Sequence, residues 1–374
     1  MIRIPSAPGR SVVAACAALC SLSVAPSAPA GPLRVTAAGR FDFEAPVAAE
    51  PRLLAEELSG IAWMGGDRYV AVGDEHACLH FLSIRLDART GRVTAARVER
   101  PLPLRDERGT PFPDSTEGPD REGIRYDRAA GAVWISNERT GCDASRSSLS
   151  RHSLSDGRRT RFITVDSDTA LRIFATQRKN LGFESLTGRE DGRETWIANE
   201  GPLRVDGGRA GESMGGVVRL VKLDGAMRPL AQFAYVVDPY PARIASPPLL
   251  RGYDVSGLSD LLLLPDGRLI ALERTFAGDS TGAASLRIRL YEADVSGATD
   301  VSLPPYAKGL AGERYTPAAK RLLWEGRFGL TNSNFEGIAL GPRLRNGDRA
   351  LLLLADNNGG AAEAIYALRL SGLP

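Results

Sequence analysis

Histidine is the scarcest chemistry-bearing residue in this 374-residue chain: there are three, His76, His80 and His152. None follows position 152, which removes the base from two stretches that look like serine-hydrolase signatures. GESMG (211–215) matches G-x-S-x-G, but a nucleophile elbow needs a strand before it, a helix after it and a later histidine; GDSTG (278–282) fails for want of the same histidine. Both read as polar loops. His80 and His152 fall in outer strands, whereas His76 follows an acidic pair and could act as a phosphate-facing cation or a general acid, with a phosphohistidine conceivable through it alone. Cysteine is almost as sparse, at four. Neither sign of charge dominates, since 47 basic residues are mixed with 45 acidic ones; without a basic stripe, nucleic acid is excluded as an expected partner. Long periodic helices are also missing. Forty glycines and 24 prolines scattered among short apolar runs instead favour many tight turns between strands.

The first thirty residues differ from the rest. Arg3 and Arg10 precede the run SVVAACAALCSLSV, and SAPAG then offers small residues at an A-x-A-like cleavage site after Ala30. The run is about 14 residues, short of the roughly 20 that a bilayer-spanning helix needs. It is read as a secretory signal peptide (1–30) preceding one domain (31–374), with no membrane span after its removal. A lipoprotein site ending at Cys16 is the weaker alternative, since almost no apolar stretch precedes it. Cleavage would leave Cys78 and Cys142, in a secreted or periplasmic setting where one disulfide between them can persist; two separate thiols are the other reading, because spacing does not show whether they lie within bridging distance.

What the sequence has in abundance is self-similarity. ELSGIAWMGGDRYVAVGDEH, DREGIRYDRAAGAVWISNER, GFESLTGREDGRETWIANEG, DVSGLSDLLLLPDGRLIALER and NFEGIALGPRLRNGDRALLLLADNN share one plan. Each has a polar residue, usually a glycine, a short apolar segment, a Gly/Asp-rich turn, a second apolar segment and an acidic or amide pair, which is a β-hairpin pattern. Two further strand-like runs follow most copies, so a repeat is about four strands. Such units cannot bury both faces alone, and stacking around an axis solves this. The chain is therefore expected to be all-β, a β-propeller of about five four-stranded blades, six being compatible. A sandwich would not repeat a hairpin with its polar flanks. The last copy has only three strands while PLRVTAAGRFDFEAP supplies an unattached one, so an N-terminal strand should join the last blade and close the ring. Two Pro/Gly-rich stretches, 238–254 and 299–317, read as surface loops over one face.

In an antiparallel hairpin the start of the first strand and the end of the second are neighbours. With these hairpins innermost, their open ends converge on one mouth of the channel. The first column of aligned residues is Ser59, Glu122, Glu184, Ser256 and Glu336; the second is Glu75, Glu138, Glu200, Glu273 and Asn357. Asp74, Asn137, Asn199 and Asp356 lie beside them, and Arg139 and Arg274 just after. Carboxylates at this density must be protonated, paired with arginine or neutralised by a cation. An oxygen-only ligand set favours a hard cation such as Ca²⁺. A purely structural role is the competing reading: the carboxylate accepts backbone N–H bonds in a tight turn while the glycine supplies a positive φ.

Taken together, EGI…VWISNE, FESLT…WIANE, GLSDLLLLPDGRLIALER and NFEGIAL…LLLADNN resemble the family described as esterase-like activity of phytase, secreted bacterial β-propellers with a phytase-like domain. The likeness runs from about Leu58 to Leu370. It implies a secreted or periplasmic hydrolase of phosphate or other esters, and propeller phytases surround phosphate with bridging calcium ions, carboxylates and basic residues. The expectation is an exported, Ca²⁺-assisted ester hydrolase, a monomer acting on a small-molecule phosphate ester. Its metal would be held by Glu122, Glu138, Glu184, Glu200 and Glu336 with Asn137, Asn199 and Asp356 nearby. Arg139 and Arg274 would clamp negative charge, and Glu75 or Glu273 would serve as general base, with His76 as an alternative acid. A metal-dependent lactonase and a non-catalytic envelope scaffold are the rival expectations.

Overall fold

The computed structural model describes residues 31–43, 58–73, 76–113, 119–139, 146–211, 213–240, 256–278, 284–329, 334–356 and 363–374. Residues 1–30, Asp74, Glu75, Cys142 and Asn357 lie outside them. Among the described residues no helix is long and apolar enough to cross a membrane.

Five antiparallel sheets of four strands each are formed. The first comprises β2 (Leu58–Gly65), β3 (Arg68–Gly73), β4 (Cys78–Leu86) and β5 (Val93–Pro103). The second comprises β6 (Asp120–Asp127), β7 (Ala132–Arg139), β8 (Ser148–Ser153) and β9 (Arg159–Thr164). The third contains β10 (Phe183–Gly188), β11 (Glu194–Asn199), β12 (Gly216–Asp224) and β13 (Pro229–Val237). The fourth contains β14 (Ser256–Leu263), β15 (Leu269–Gly278), β16 (Ala284–Asp294) and β17 (Ala319–Phe328). In the fifth, β18 (Asn334–Arg343), β19 (Arg349–Asp356) and β20 (Ala364–Ser371) are completed by β1 (Arg34–Asp42), which pairs with β20 from Arg34↔Ser371 to Asp42↔Ala364. The chain is thus a five-bladed β-propeller closed by its N-terminal strand.

Strands buried on both faces carry near-continuous apolar runs, and LLLL in β19 shows why. Leu351 and Leu353 join the core shared with the β14–β17 blade, while Leu352 and Leu354 join the core shared with the β2–β5 blade. Three more inter-blade cores complete the circle. The apolar core therefore lies mainly between blades rather than within them.

The first strand of each repeat, β2, β6, β10, β14 and β18, lies innermost and contacts its counterparts in both neighbouring blades. Such close approach leaves no room for side chains at one column. A Cβ on Gly60 would fall 2.2 Å from the Glu122 carbonyl oxygen, and one on Gly123 would fall 2.6 Å from Leu186 N. Gly60, Gly123 and Gly337 are not among the glycines with positive φ. The repeated glycine is there for the approach of neighbouring strands and not for a left-handed turn, which corrects the conformational reason given for it above.

The 299–317 stretch is more than a loose surface loop. Val301 N donates to Gln232 O at 2.8 Å, Ala318 N to Ala234 O at 2.8 Å and Leu310 N to Asp206 Oδ1 at 3.0 Å. It covers the outer edge strand β13 of the neighbouring blade, an edge that would otherwise be open to strand pairing. Below it, the fully buried Arg219 guanidinium bonds both Asp206 oxygens at 2.7 and 2.8 Å.

Candidate functional site

Each inner hairpin contains a β-bulge at the same place. Register slips between Leu58 and Gly60, Arg121 and Ile124, Phe183 and Ser185, Leu258 and Asp260, and Phe335 and Gly337. The extra residue re-aims its side chain, and the bulged column is Ser59, Glu122, Glu184, Ser259 and Glu336. Ser259 replaces Ser256 as the fourth member. The same registers align Gly73, Asn137, Asn199, Glu273 and Ala355 opposite the residue before each bulge. The next column is consequently Glu138, Glu200, Arg274 and Asp356 among the described residues, so the second sequence column shifts by one residue in the fourth and fifth copies. Arg274 stands where two other blades place a glutamate.

That substitution organises the mouth. Arg274 Nη2 donates to Glu200 Oε1 at 2.9 Å, and its Nη1 bonds both Asn334 Oδ1 and Glu336 Oε1. Burial opposes its charge, but the Glu336, Glu200 and Glu184 carboxylates more than compensate and raise its pKa. Asn334 also donates to Glu336 at 2.8 Å and to Asp356 at 3.3 Å. Across the mouth, Arg139 Nε lies 3.3 Å from Asp120.

Two carboxylate trios share Glu138. Oxygens of Glu138, Glu184 and Glu200 all lie within 4.8 Å of one another, as do those of Asp120, Glu122 and Glu138. Burial, then Glu200 and Asp120, push the Glu138 carboxyl well above its usual range, although it accepts from Gly182 N at 2.9 Å. Glu184 is raised well above its range by burial and then by Glu122, Glu200, Glu138 and Glu336. Burial carries Glu336 up to about 7 despite Arg274. The acids outnumber the cations beside them, so the cluster holds protons or a cation. Two orphan oxygens stand on the same inner strands: the hydroxyls of Ser185 and Ser259 are buried with no partner among the described residues. Carboxylates plus hydroxyls, without nitrogen or sulfur, are the donor set of a hard cation.

The remaining expected site residues sit elsewhere. Asn137 bonds the Ser148 and Ser150 hydroxyls at 3.2 and 3.3 Å, and Asn199 binds Gly201 O and Arg219 N. Glu273 shares their column and points between blades. It accepts from Tyr235 OH at 2.6 Å, Lys320 Nζ at 2.7 Å and Asp238 N at 3.0 Å, and is fully buried. Its place is behind the mouth, not in it. His76 O accepts from Cys78 N at 2.6 Å beside β4, and Glu75 lies outside the described residues. Asp120 and Asn334 were not singled out from sequence, although both stand two residues before a bulged glutamate. That spacing was the available signal.

One further acid was missed, Asp260. It occupies the glycine column, and its carboxylate accepts from Leu261 N at 2.8 Å and from Ile338 N at 3.0 Å, with Leu186 N as a further donor. The channel-facing edge of an innermost strand has no in-sheet partner, and Asp260 satisfies two neighbouring strands at once. Burial nevertheless lifts its pKa to about 8.

The family model described as esterase-like activity of phytase matches residues 55–359. Comparison with curated proteins gives no match. Among solved structures, the chain is similar to the PQQ-bound aldose sugar dehydrogenase of Streptomyces coelicolor, at 13% identity and TM-score 0.37, covering 92% of this chain and 100% of that one. It is also similar to glutaminyl cyclase of Myxococcus xanthus, at 8% identity and TM-score 0.33, covering 93% and 100%. Likeness at that level carries no argument about chemistry.

Proposed function

Because the chain belongs to the phytase-like family, we propose that it is an exported ester hydrolase, Ca²⁺-assisted and acting on phosphate esters at the carboxylate mouth. The observation that carries this reading is the convergence of Glu138, Glu184 and Glu200 within 4.8 Å of one another, with Arg274 fixed against Glu200 and Glu336. Glu138, Glu184 and Glu200 would hold the cation, with Glu122 and Glu336 beside them. A bound Ca²⁺ would supply charge to offset an anionic substrate and polarise its phosphoryl oxygen. An anionic ester approaches so acidic a mouth only once that charge is present.

The chain's own groups divide the remaining work. Arg274 holds two of the carboxylates in place. Arg139, partly exposed beside Asp120, is positioned to meet negative charge on the substrate. Glu122 is less buried than Glu138 and Glu184 and takes over, in this proposal, the proton-accepting role first given to Glu75 or Glu273.

A panel of phosphate monoester, lactone and carboxylester substrates, each with chelator and with added Ca²⁺, tests the proposal. Calcium-dependent phosphate release that is lost in Glu138→Gln and Glu184→Gln is expected. Lactone opening alone would replace the substrate class. Absence of turnover on every substrate with calcium present would favour a binding scaffold and overturn the reading.

A further inference from the structure

The channel has a second end, where the turns of the inner hairpins meet, and a cavity of about 470 Å³ opens there. Its floor is the ring Ile61, Ile124, Leu186, Leu261 and Ile338, one residue from each innermost strand, all lining the cavity and all buried. This apolar ring separates the cavity from the carboxylate mouth. The walls add Leu263, Leu340 and Trp63, and the rim carries Arg125, Arg128, Arg189 and Arg349 against Glu190 and Asp191. A volume of this size, apolar below and charged at one edge, is the form of a small-molecule site, which typically spans about 300–1,000 Å³.

The rim arginines are not equivalent. Arg125 lies 3.5 Å from Asp127 and bonds Thr195, and Arg189 lies 3.6 Å from Asp191. Arg128 donates to the Met64 carbonyl at 3.3 Å. The Arg349 side chain makes no hydrogen bond or ion pair among the described residues, and its Nε is buried without a partner. Its guanidinium instead lies over Trp63, 4.9 Å from the ring centroid, and the indole is fixed by an Nε1–H bond to Gly66 O at 2.9 Å. A half-buried cation stacked on an aromatic ring, with unused planar donors beside an apolar well, matches a carboxylate joined to an apolar body.

We propose that this turn-end cavity binds a small amphipathic monoanion, its hydrocarbon chain or ring on the Ile/Leu floor and its carboxylate on Arg349. The site is independent of the hydrolase reading, since it lies at the opposite end of the channel and shares no side chain with the carboxylate cluster.

Isothermal titration of the mature protein with octanoate, octanol and octylammonium, three probes with one body and different heads, tests the inference. Octanoate should bind more tightly than the other two, and Arg349→Met should weaken it about tenfold or more, the worth of a charge-assisted pair, while leaving octanol unchanged. Ala62→Phe, which fills the cavity, should abolish binding of both; thermal melts check that each variant is folded. Should Arg349→Met fail to fold, Arg349→Lys serves as the charge-retaining replacement and should keep the octanoate preference. Equal affinity for all three heads, no binding of octanoate, or octanoate binding indifferent to Arg349→Met or to Ala62→Phe would each overturn the proposal. Turnover at the carboxylate mouth, measured in parallel, should be unaffected by Arg349→Met, so failure here and failure of the hydrolase reading are read separately.

Discussion

Replacing Asp260 by asparagine should flatten the pH dependence of stability. A buried carboxyl with a folded pKa of about 8 and an unfolded value of about 3.9 retains a proton in the folded chain that the unfolded chain has lost. Its contribution is complete at acid pH and disappears as pH rises through 8. Between pH 6 and 8 the folded state carries on average about 0.8 more protons from this group, which costs about 2 kcal/mol over the interval. With an unfolding entropy of about 2.1 cal/mol/K per residue over about 340 residues, the melting temperature of the cation-free protein should fall by about 3 °C from this residue alone. Glu336, raised to about 7, adds a fall of the same sign. His152, held near 4 by burial, acts in the opposite sense but almost wholly below pH 6.5. Asp260→Asn cannot ionise and keeps only one oxygen for the Leu261 and Ile338 amides. It should melt lower than wild type at pH 6, by about 1–3 kcal/mol of lost acceptor, and the two curves should converge toward pH 9. Scanning calorimetry in chelator across pH 6–9 measures this. Parallel curves for the two proteins would refute the assignment of a retained proton to Asp260.

Other consequences can be checked in the same preparations. Arg274→Gln leaves Glu200 and Glu336 without their shared cation; it should destabilise the chelated protein by about 3–5 kcal/mol at neutral pH and enlarge the melting-temperature gain on adding Ca²⁺, and an unchanged gain would count against a shared site. Gly123→Ala places a methyl 2.6 Å from Leu186 N and should cost about 2 kcal/mol or more in a urea melt, whereas Gly297→Ala, with nothing within 4 Å, should be neutral. Glu273→Gln removes a charge from Lys320 and should lower stability by about 2 kcal/mol or more while leaving turnover per folded molecule intact; selective loss of turnover would return Glu273 to the mouth. For the metal, the stability of the protein should rise by about 2.7 kcal/mol at a calcium concentration a hundred times the dissociation constant, and a fixed midpoint would sink the cation site.

The ring of blades was legible in the sequence because a four-stranded unit leaves a linear trace: the polar flank, turn and apolar segments recur in order, and the unpaired strand at each end announces closure. The positions of Glu122, Glu138, Glu184, Glu200 and Glu336 followed from hairpin geometry alone. Register by one residue did not. A β-bulge adds a residue without altering composition, so GLSD aligned by its glycine instead of by Leu258-Ser259-Asp260, and Glu273 was placed in a column belonging to Arg274. Since side chains alternate across a strand, that single step moved a carboxylate from between the blades to the mouth. Asp260 was invisible for a related reason: nothing local distinguishes an acid that replaces a repeat glycine from one in a turn. The turn-end cavity depended on five strands meeting at an axis, which no local pattern encodes.

The pairing of β1 with β20 also sets a clock. A chain delivered from its N-terminus presents Arg34 early and its partner Ser371 only near the end, so the fifth blade cannot be assembled until nearly everything else exists. Until then the inter-blade cores on either side of that blade, which hold Leu352, Leu354 and Ile365 on one face and Leu351 and Leu353 on the other, lack half their substance. Non-local pairing of this kind is slow to form. Pairing of β1 with β20 therefore completes the fifth blade and covers two apolar flanks in one event.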